Sequence, residues 1–300
     1  MGEWSWDPDP ASGIRHRWVE ANGLRFEVAE AGEGDHLALL LHGFPELNFS
    51  WRHQMPLLAD MGYRVWAPNQ RGYGKSSRPV GVDAYAADRI VADAAALIDA
   101  SGARRATLIA HDWGGAIAWY FAMRQVRPLE RLVVMNCPHP ACFARELRTW
   151  KQLRKSWYML FFQLPGLPEA MLTRDGARAV RHAFRGSAAH PERFPREDLD
   201  VYARAATEPG AMTAMVNWYR AAARRRTLTD RSADWPPVET PTLLIWGDAD
   251  IALDIATTEG TDRYVRDLRF RRLAGISHWV QNDAPEEVNS LLQDWLTTGR

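Results

Sequence analysis

Short apolar runs alternate along the chain with segments of helical periodicity. The runs at residues 36–41, 106–110 and 132–135 are continuous, which is typical of strands buried on both faces of a parallel sheet. Ala-rich or amphipathic segments at 50–61 and 84–101 lie between them and predict helices. This alternation predicts an α/β fold with a doubly wound, mostly parallel sheet.

Further elements extend this pattern toward both ends of the chain. Residues 16–20 and 24–30 flank an Asn22-Gly23 pair, a strong signal for a tight turn, and therefore predict a β-hairpin. The remaining predicted core elements are strands at 64–67, 241–246 and 269–273 and a final amphipathic helix at 284–296.

The alternation breaks at residues 136–140. From there to about residue 226 the pattern is helical, with Pro, Gly and Arg punctuation and no candidate strand. We therefore expect a helical cap inserted into the α/β core. The predicted boundaries are a first core part at 1–137, the cap at 138–226 and a second core part at 227–300.

The composition narrows the range of partners. Of the 300 residues 46% are hydrophobic, and 37 basic residues balance 37 acidic ones, which argues against nucleic acid or an anionic membrane as the main partner. Cys137 and Cys142 are the two cysteines, and they form neither a disulfide framework nor a metal-binding pattern. An acidic N-terminal segment and the lack of an apolar run of about 18 residues predict a cytoplasmic protein.

One junction between a strand and a helix carries a candidate nucleophile. Asp112 follows the run at 106–110, and Ala110 and Gly114 stand two positions to either side, where an elbow of G-x-S-x-G type needs small residues. A carboxylate with a reference pKa of about 3.9 is ionised at neutral pH and attacks an electrophilic carbon without a base. The structural alternative is an Asp that caps the helix.

Two other polar residues follow predicted strands. Asp250 comes after the strand at 241–246, and His278 comes after the strand at 269–273. With Asp112 they would lie at the edge of the sheet where open α/β folds bind ligands. The order of nucleophile, acid and histidine is that of the α/β-hydrolase triad. Taken singly, His278 is more often a structural histidine and Asp250 a residue that caps a loop.

Two loops are candidates for binding. His42-Gly43-Phe44-Pro45 follows the first buried run, and either the Phe44 N–H is an oxyanion donor or the loop is an ordinary turn at the end of a strand. The Gly-rich loop at 69–77 lacks the spacing of a phosphate-binding loop, so a structural turn is expected there.

Taken together, the motifs resemble the epoxide hydrolases of the α/β-hydrolase fold over nearly the whole chain. The core motifs are His-Gly-Phe-Pro at 42–45, His-Asp-Trp-Gly-Gly at 111–115, Trp-Gly-Asp-Ala-Asp at 246–250 and Ser-His-Trp at 277–279. In the cap, residues 157–166 and 217–220 resemble the two segments that supply the paired tyrosines of that family. Haloalkane dehalogenases share the elbow, whereas the cap segments are much more specific.

The resemblance implies a role for each candidate residue. Asp112 would be the nucleophile, with Asp250 and His278 as the charge pair that activates water. Tyr158 and Tyr219 would be the proton donors.

The resemblance also implies the rest of the site. The oxyanion hole would consist of the backbone N–H groups of Phe44 and Trp113, and Phe44, Trp113, Phe162 and Trp279 are expected to contact the substrate. The expected substrate is a small hydrophobic epoxide, with no metal or organic cofactor, and the expected state is a monomer or homodimer.

The chemistry of the leaving group supports an epoxide. Opening an epoxide creates an alkoxide, and a tyrosine with a pKa near 10 stays protonated at about pH 7 yet protonates an alkoxide. A halide needs no proton, so a pair of tyrosines would be superfluous for a dehalogenase. The expected product is therefore a vicinal diol.

Other functions stay open at this point. A haloalkane or haloacid dehalogenase would use the same three residues, with the Trp113 ring N–H as a halide donor. A catalytically silent binding protein of the same fold would have lost a triad residue, and none is lost here. A serine esterase is disfavoured because no Ser occupies the elbow.

Overall fold

The computed structural model describes residues 4–225 and 235–297, and an eight-stranded sheet lies at its centre. The strands are β1 Arg15–Ala21, β2 Leu24–Ala31, β3 His36–Leu41, β4 Arg64–Pro68, β5 Arg105–His111, β6 Arg131–Met135, β7 Thr242–Gly247 and β8 Leu268–Leu273. Their order across the sheet is β1-β2-β4-β3-β5-β6-β7-β8.

The sheet is antiparallel at one end and parallel elsewhere. The predicted hairpin forms β1 and β2, which turn at Asn22 and Gly23, both with positive φ. β2 also pairs antiparallel with β4, and every later pair from β4 to β8 is parallel. The predicted α/β fold with a mostly parallel sheet is therefore confirmed.

Helices cover both faces of the sheet and form the segment between β6 and β7. They are α1 Met55–Asp60, α2 Ala87–Ser101, α3 Trp113–Met123, α4 Pro140–Glu146, α5 Trp150–Lys155, α6 Trp157–Phe161, α7 Leu167–Arg185, α8 Arg196–Thr207, α9 Ala211–Arg224, α10 Val280–Asp283 and α11 Pro285–Thr297. Short 3-10 turns occur at Pro10–Ser12, Asn48–Trp51, Val82–Tyr85, Pro191–Arg193, Ile255–Thr258 and Thr261–Arg263.

The helix predicted over 50–61 was only partly right. The chain forms a 3-10 turn at Asn48–Trp51 and then the short helix α1 from Met55. Pro56 accounts for the break, because its ring would collide with the carbonyl of Arg52 in a continuous helix and it has no N–H to donate. At the start of α1 the same proline is well tolerated.

The segment between β6 and β7 is helical wherever the structure describes it, from α4 to α9. α7 is interrupted at 174–177, where Asp175, Gly176 and Ala177 have left-handed backbone angles. The predicted cap boundary at 226/227 lies outside the described residues, and the boundary at 137/138 stays a prediction.

The central strands place the candidate chemistry. Leu39, Ile109, Val133 and Leu244 on β3, β5, β6 and β7 are fully buried, as expected for strands covered on both faces. Because these strands are parallel, the loops after their carboxyl ends meet at one edge of the sheet. Within the described residues, no helix is long and apolar enough to cross a membrane.

Candidate active site

Asp112 occupies a strained turn between β5 and α3. Its backbone has φ 48° and ψ −120°, a conformation that non-glycine residues rarely adopt and that is often found at functional sites. A side chain at Gly114 would overlap the carbonyl of Leu41, and one at Gly43 would overlap the Asp112 carboxylate. The small residues around the elbow therefore let the turn close against the loop after β3.

The Asp112 carboxylate lies between a backbone donor and a histidine. The Phe44 N–H donates to Oδ1 at 2.8 Å, and Nε2 of His278 lies 3.5 Å from Oδ2. Burial raises the pKa of Asp112, but the hydrogen bond and charge of His278 outweigh it and hold the pKa below its usual value. Asp112 is therefore ionised, as a nucleophile must be.

His278 is held from behind by Asp250. Its Nδ1 lies 2.6 Å from Oδ2 of Asp250, whose other oxygen accepts from the N–H groups of Ala252 at 2.7 Å and Leu253 at 2.9 Å. Burial lowers the pKa of His278, but Asp250 and Asp112 together raise it to about 10. The imidazole is thus a cation between two carboxylates.

The two predicted tyrosines come from different cap helices and meet above the elbow. Tyr158 on α6 and Tyr219 on α9 have ring centroids 5.9 Å apart. Burial, followed by the charge of Asp112, raises the pKa of Tyr158. Burial, followed by Tyr158 and Asp112, raises the pKa of Tyr219 well above its ordinary value. Both phenols are therefore protonated at neutral pH.

Arg220 fixes the two tyrosine helices relative to each other. From α9 its guanidinium donates to the carbonyl of Phe162 at 3.0 Å and to that of Leu164 at 2.6 Å, directly after α6. It also pairs with Glu169 at 2.6 Å, and both side chains are largely buried. The Asn-Trp-Tyr-Arg motif thus supplies both a tyrosine and the residue that positions its partner.

A small cavity of about 50 Å³ lies over Asp112, and its wall is mostly apolar. The residues lining it are Asp112, Trp113, Ala116, Cys137, Pro138, Pro140, Phe143, Tyr158, Met159, Tyr219 and Leu253. The acid–base groups on this wall are the Asp112 carboxylate, the Tyr158 and Tyr219 phenols and the Cys137 thiol. The thiol is buried, and burial raises its pKa well above its ordinary value. Such a site suits an apolar molecule with one reactive oxygen.

Three of the four predicted substrate-contact residues lie outside this wall. Of these four, Trp113 lines the cavity, whereas Phe44 and Phe162 pack edge-on against Tyr219, at 5.2 and 4.9 Å. Trp279 packs on Phe184 of the cap at 4.3 Å. The rings of these three residues take part in the packing of the cap on the core, and their contact with the substrate stays a prediction.

Asn136, which no sequence pattern singles out, completes the contacts of the Asp250 carboxylate. It follows β6 with φ 39°, donates to Oδ2 of Asp250 at 2.8 Å, and forms a reciprocal pair with the backbone of Gly247. An asparagine after a strand is common in turns, and its partner lies more than a hundred residues away. Only the pairing of β6 with β7 brings the two together.

A second carboxylate and histidine pair lies behind the triad. Glu46 lies 2.6 Å from Nδ1 of His111, and Nε2 of His111 lies 2.8 Å from the backbone oxygen of His278. Glu46 also accepts from the N–H of Gly43 at 2.6 Å. The loop after β3, the elbow and the histidine loop are thereby joined in one buried network.

Helix α5, which precedes Tyr158, forms hydrogen bonds with the loop that carries Asp250. Gln152 of α5 is fully buried, donates to the carbonyl of Ala252 at 3.0 Å and accepts from the N–H of Asp254 at 2.8 Å. Lys155 of the same helix donates to the backbone oxygen of Asp250 at 2.7 Å. The positions of Tyr158 and Asp250 are therefore linked through α5.

The described residues contain no candidate metal site. Across the described ranges 4–225 and 235–297, no cluster of three or more His, Cys, Asp or Glu side chains is arranged to hold a metal ion. Cys137 and Cys142 are both buried free thiols.

The chain is similar to known proteins along nearly its whole length. The sequence model of the alpha/beta hydrolase fold matches residues 39–285. The AB hydrolase superfamily protein YfhM of Bacillus subtilis is 38% identical over 287 residues, covering 95% of this chain and 98% of that protein. Epoxide hydrolase 4 of Mus musculus is 38% identical over 296 residues, covering 96% of this chain and 81% of that protein.

Solved structures agree with these sequence relatives. The crystal structure of an epoxide hydrolase of Bacillus megaterium in complex with an inhibitor has a TM-score of 0.84 and 30% identity. The match covers 94% of this chain and 100% of that one.

Proposed function

The chain belongs to the alpha/beta hydrolase fold family and is an epoxide hydrolase, and we propose that it forms a vicinal diol through a covalent ester on Asp112. One observation carries the mechanism. An ionised carboxylate, bonded by the Phe44 N–H on one oxygen, lines the same cavity as two protonated phenols. A nucleophile and a pair of acids are the groups that opening an epoxide requires.

In the first step Asp112 attacks a ring carbon. Oδ1 accepts the Phe44 N–H, which leaves Oδ2 as the attacking atom. The new C–O bond forms as the ring C–O bond breaks, and the ring oxygen takes a proton from Tyr158 or Tyr219. The raised pKa of each phenol keeps that proton in place until an alkoxide, a far stronger base, develops.

In the second step water cleaves the ester. Esterification removes the negative charge of Asp112, which is one of the two charges that keep His278 protonated. His278 can then lose its proton to solvent, from which the tyrosinate left by the first step regains its own. The neutral imidazole takes a proton from the attacking water, while Asp250 keeps the ring oriented through Nδ1. Water attacks Cγ, and the bond between Cγ and the ester oxygen breaks. That oxygen takes the second proton of the added water, and the diol leaves with one oxygen from Asp112.

The tetrahedral intermediate of this second step needs donors for its oxyanion. The Phe44 N–H is already bound to Oδ1 at 2.8 Å. Trp113 is the first residue of α3, and N–H groups in the first turn of a helix have no acceptor within the helix. We assign these two donors to the oxyanion hole, where one donor contributes about 3 kcal/mol in other enzymes.

Isotope labelling tests the covalent step. Enzyme in excess is mixed with styrene oxide in ¹⁸O-labelled water and quenched after one turnover. The mechanism predicts an unlabelled diol and label in the peptide that contains Asp112. A labelled diol would mean that water attacks the epoxide directly and that Asp112 acts as a base.

The dehalogenase alternative has a direct control. Trp113 lines the cavity, which is where a halide donor would have to be. Its ring, however, packs edge-on against Tyr219 at 4.9 Å. A hydrogen bond from the Trp113 side chain also acts to lower the pKa of Tyr219, so this side chain already interacts with the phenol. Halide release from a haloalkane, together with no turnover of the epoxide, would favour the dehalogenase.

A further inference from the structure

The outer surface of the cap presents a row of large apolar side chains to solvent. Trp150 is 73% exposed, Trp157 63% and Leu160 70%. Four more are between 43% and 54% exposed. We call this set the cap apolar face, and its members are Trp150, Leu153, Trp157, Leu160, Leu164, Leu167 and Met171.

The spacing of these residues is regular. They recur every three or four positions from 150 to 171, and the pair Trp150 and Leu153 within α5, like the pair Trp157 and Leu160 within α6, therefore lies on one side of its helix. In the rest of the described residues the exposed large apolar side chains are Val80, Ile251 and Phe270. Ile251 adjoins the face, since it lines a surface groove together with Trp150 and Trp157. Concentrated apolar exposure of this kind marks a binding surface.

The rim of the cap apolar face is basic. Arg148, Lys151 and Arg154 are exposed, and Lys155 is partly exposed. Lys151 and Lys155 share a single carboxylate, that of Asp254, at 2.9 and 3.2 Å. The face therefore has an excess of positive charge, although basic and acidic residues balance over the whole chain. The balanced charge of the whole chain, which argues against an anionic membrane as a partner, does not describe this local surface.

We propose that the cap apolar face docks on an anionic lipid surface. Tryptophan and leucine flanked by lysine and arginine are the residues that lie at the boundary between headgroups and acyl chains. A second copy of this chain fits less well, because a two-fold contact through this face would bring the basic rims of both copies into one interface. Negative headgroups complement these charges instead.

Docking at this face would place the lipid next to the cavity. Helix α6 carries Trp157 and Leu160 on its outer side, whereas its Tyr158 and Met159 line the cavity. An apolar epoxide dissolved in the lipid would then have a short route to Asp112. This delivery rests on the proposed function, whereas the docking itself does not.

Vesicle sedimentation tests the docking without reference to activity. The full chain is spun with phosphatidylcholine vesicles, with and without phosphatidylglycerol. We expect it to sediment with the anionic vesicles at low salt, at least tenfold more than with the neutral ones, and to be partly released at high salt. A double variant, Trp150→Ser with Leu160→Ser, should lose this binding at both salt concentrations. A second, Arg148→Gln with Arg154→Gln, should lose mainly the part that depends on salt.

The matched control changes one apolar and one basic residue elsewhere. Phe270→Ser with Arg271→Gln alters the exposed strand β8 and should bind vesicles like the unchanged chain. Unfolding temperatures verify that all variants fold. Failure of the unchanged chain to bind anionic vesicles, or undiminished binding by the Trp150 and Leu160 variant, would overturn the proposal. A dimer that this variant dissolves, with no vesicle binding, would assign the face to a second copy.

Discussion

The charge of Asp112 should control the protonation of His278, and Asp112→Asn isolates that effect. The substitution keeps the shape of the side chain and removes its charge, as esterification does. The contacts of His278 with Asp250 at 2.6 Å stay in place. The variant is therefore a stable mimic of the electrostatic state of the covalent intermediate.

The distance sets the size of the expected change. At the 3.5 Å between Nε2 of His278 and Oδ2 of Asp112, two unit charges attract by about 1.2 kcal/mol in water and by about 5 kcal/mol at an effective dielectric constant of about 20. Since about 1.4 kcal/mol changes a pKa by one, the pKa of His278 should fall by about 1 to 3.5. Starting from about 10, it reaches a range of about 6.5 to 9.

Proton NMR of the histidine rings measures this pKa directly. The chain has 9 histidines, and comparison with His278→Gln assigns the resonance of His278. The titration is recorded for the unchanged chain and for Asp112→Asn. A control, Asp99→Asn, neutralises a surface carboxylate that pairs with Arg127 and should leave the His278 titration unchanged.

Kinetics of the covalent intermediate give an independent check. A base must be neutral, so hydrolysis of the ester should slow as the pH falls through the lowered pKa of His278. Formation of the ester should hold steady over the same range, because the pKa of Asp112 lies below its usual value. A pKa of His278 in Asp112→Asn equal to that of the unchanged chain would refute the argument that esterification releases the base.

Three further substitutions separate the two steps. His278→Gln should form the ester and fail to hydrolyse it, so intact-mass spectrometry should show the enzyme plus one epoxide. Tyr158→Phe and Tyr219→Phe should each slow ester formation by roughly 10²-fold and leave hydrolysis unchanged in rapid-quench assays. Gln152→Leu removes the hydrogen bonds to the acid loop, including the one from Asp254 at 2.8 Å, and should slow both steps; an effect on one step alone would contradict the proposed link through α5.

The sequence was informative where a reactive side chain and the signals for its local backbone structure occur in the same short segment. Asp112 was identifiable because a buried run, a small residue and a helix start occur within a few positions, and each is a local property. Asp250 and His278 follow parallel strands, so their meeting point was expected from the fold alone. The structure places the two 2.6 Å apart, as that reasoning requires.

Contacts that depend on packing were beyond such reasoning. Phe162 and Trp279 are aromatic residues beside motifs, and nothing local distinguishes a cavity wall from the layer behind it. The structure packs Phe162 against Tyr219 and Trp279 against Phe184, and only the tertiary packing of the cap decides these contacts. Asn136 was missed for the same reason, since its amide acts on a carboxylate supplied by a distant strand.

The choice of Asp at the elbow and the high pKa of His278 are two aspects of one arrangement. A serine nucleophile needs a neutral histidine before it can attack, whereas the charges of Asp112 and Asp250 keep His278 protonated here. An aspartate has no such need, so the first step can proceed while His278 is still protonated. The same step then removes one carboxylate charge and makes His278 a base when a base is first required. An enzyme built this way needs its acids, Tyr158 and Tyr219, from a separate source, and the cap supplies them.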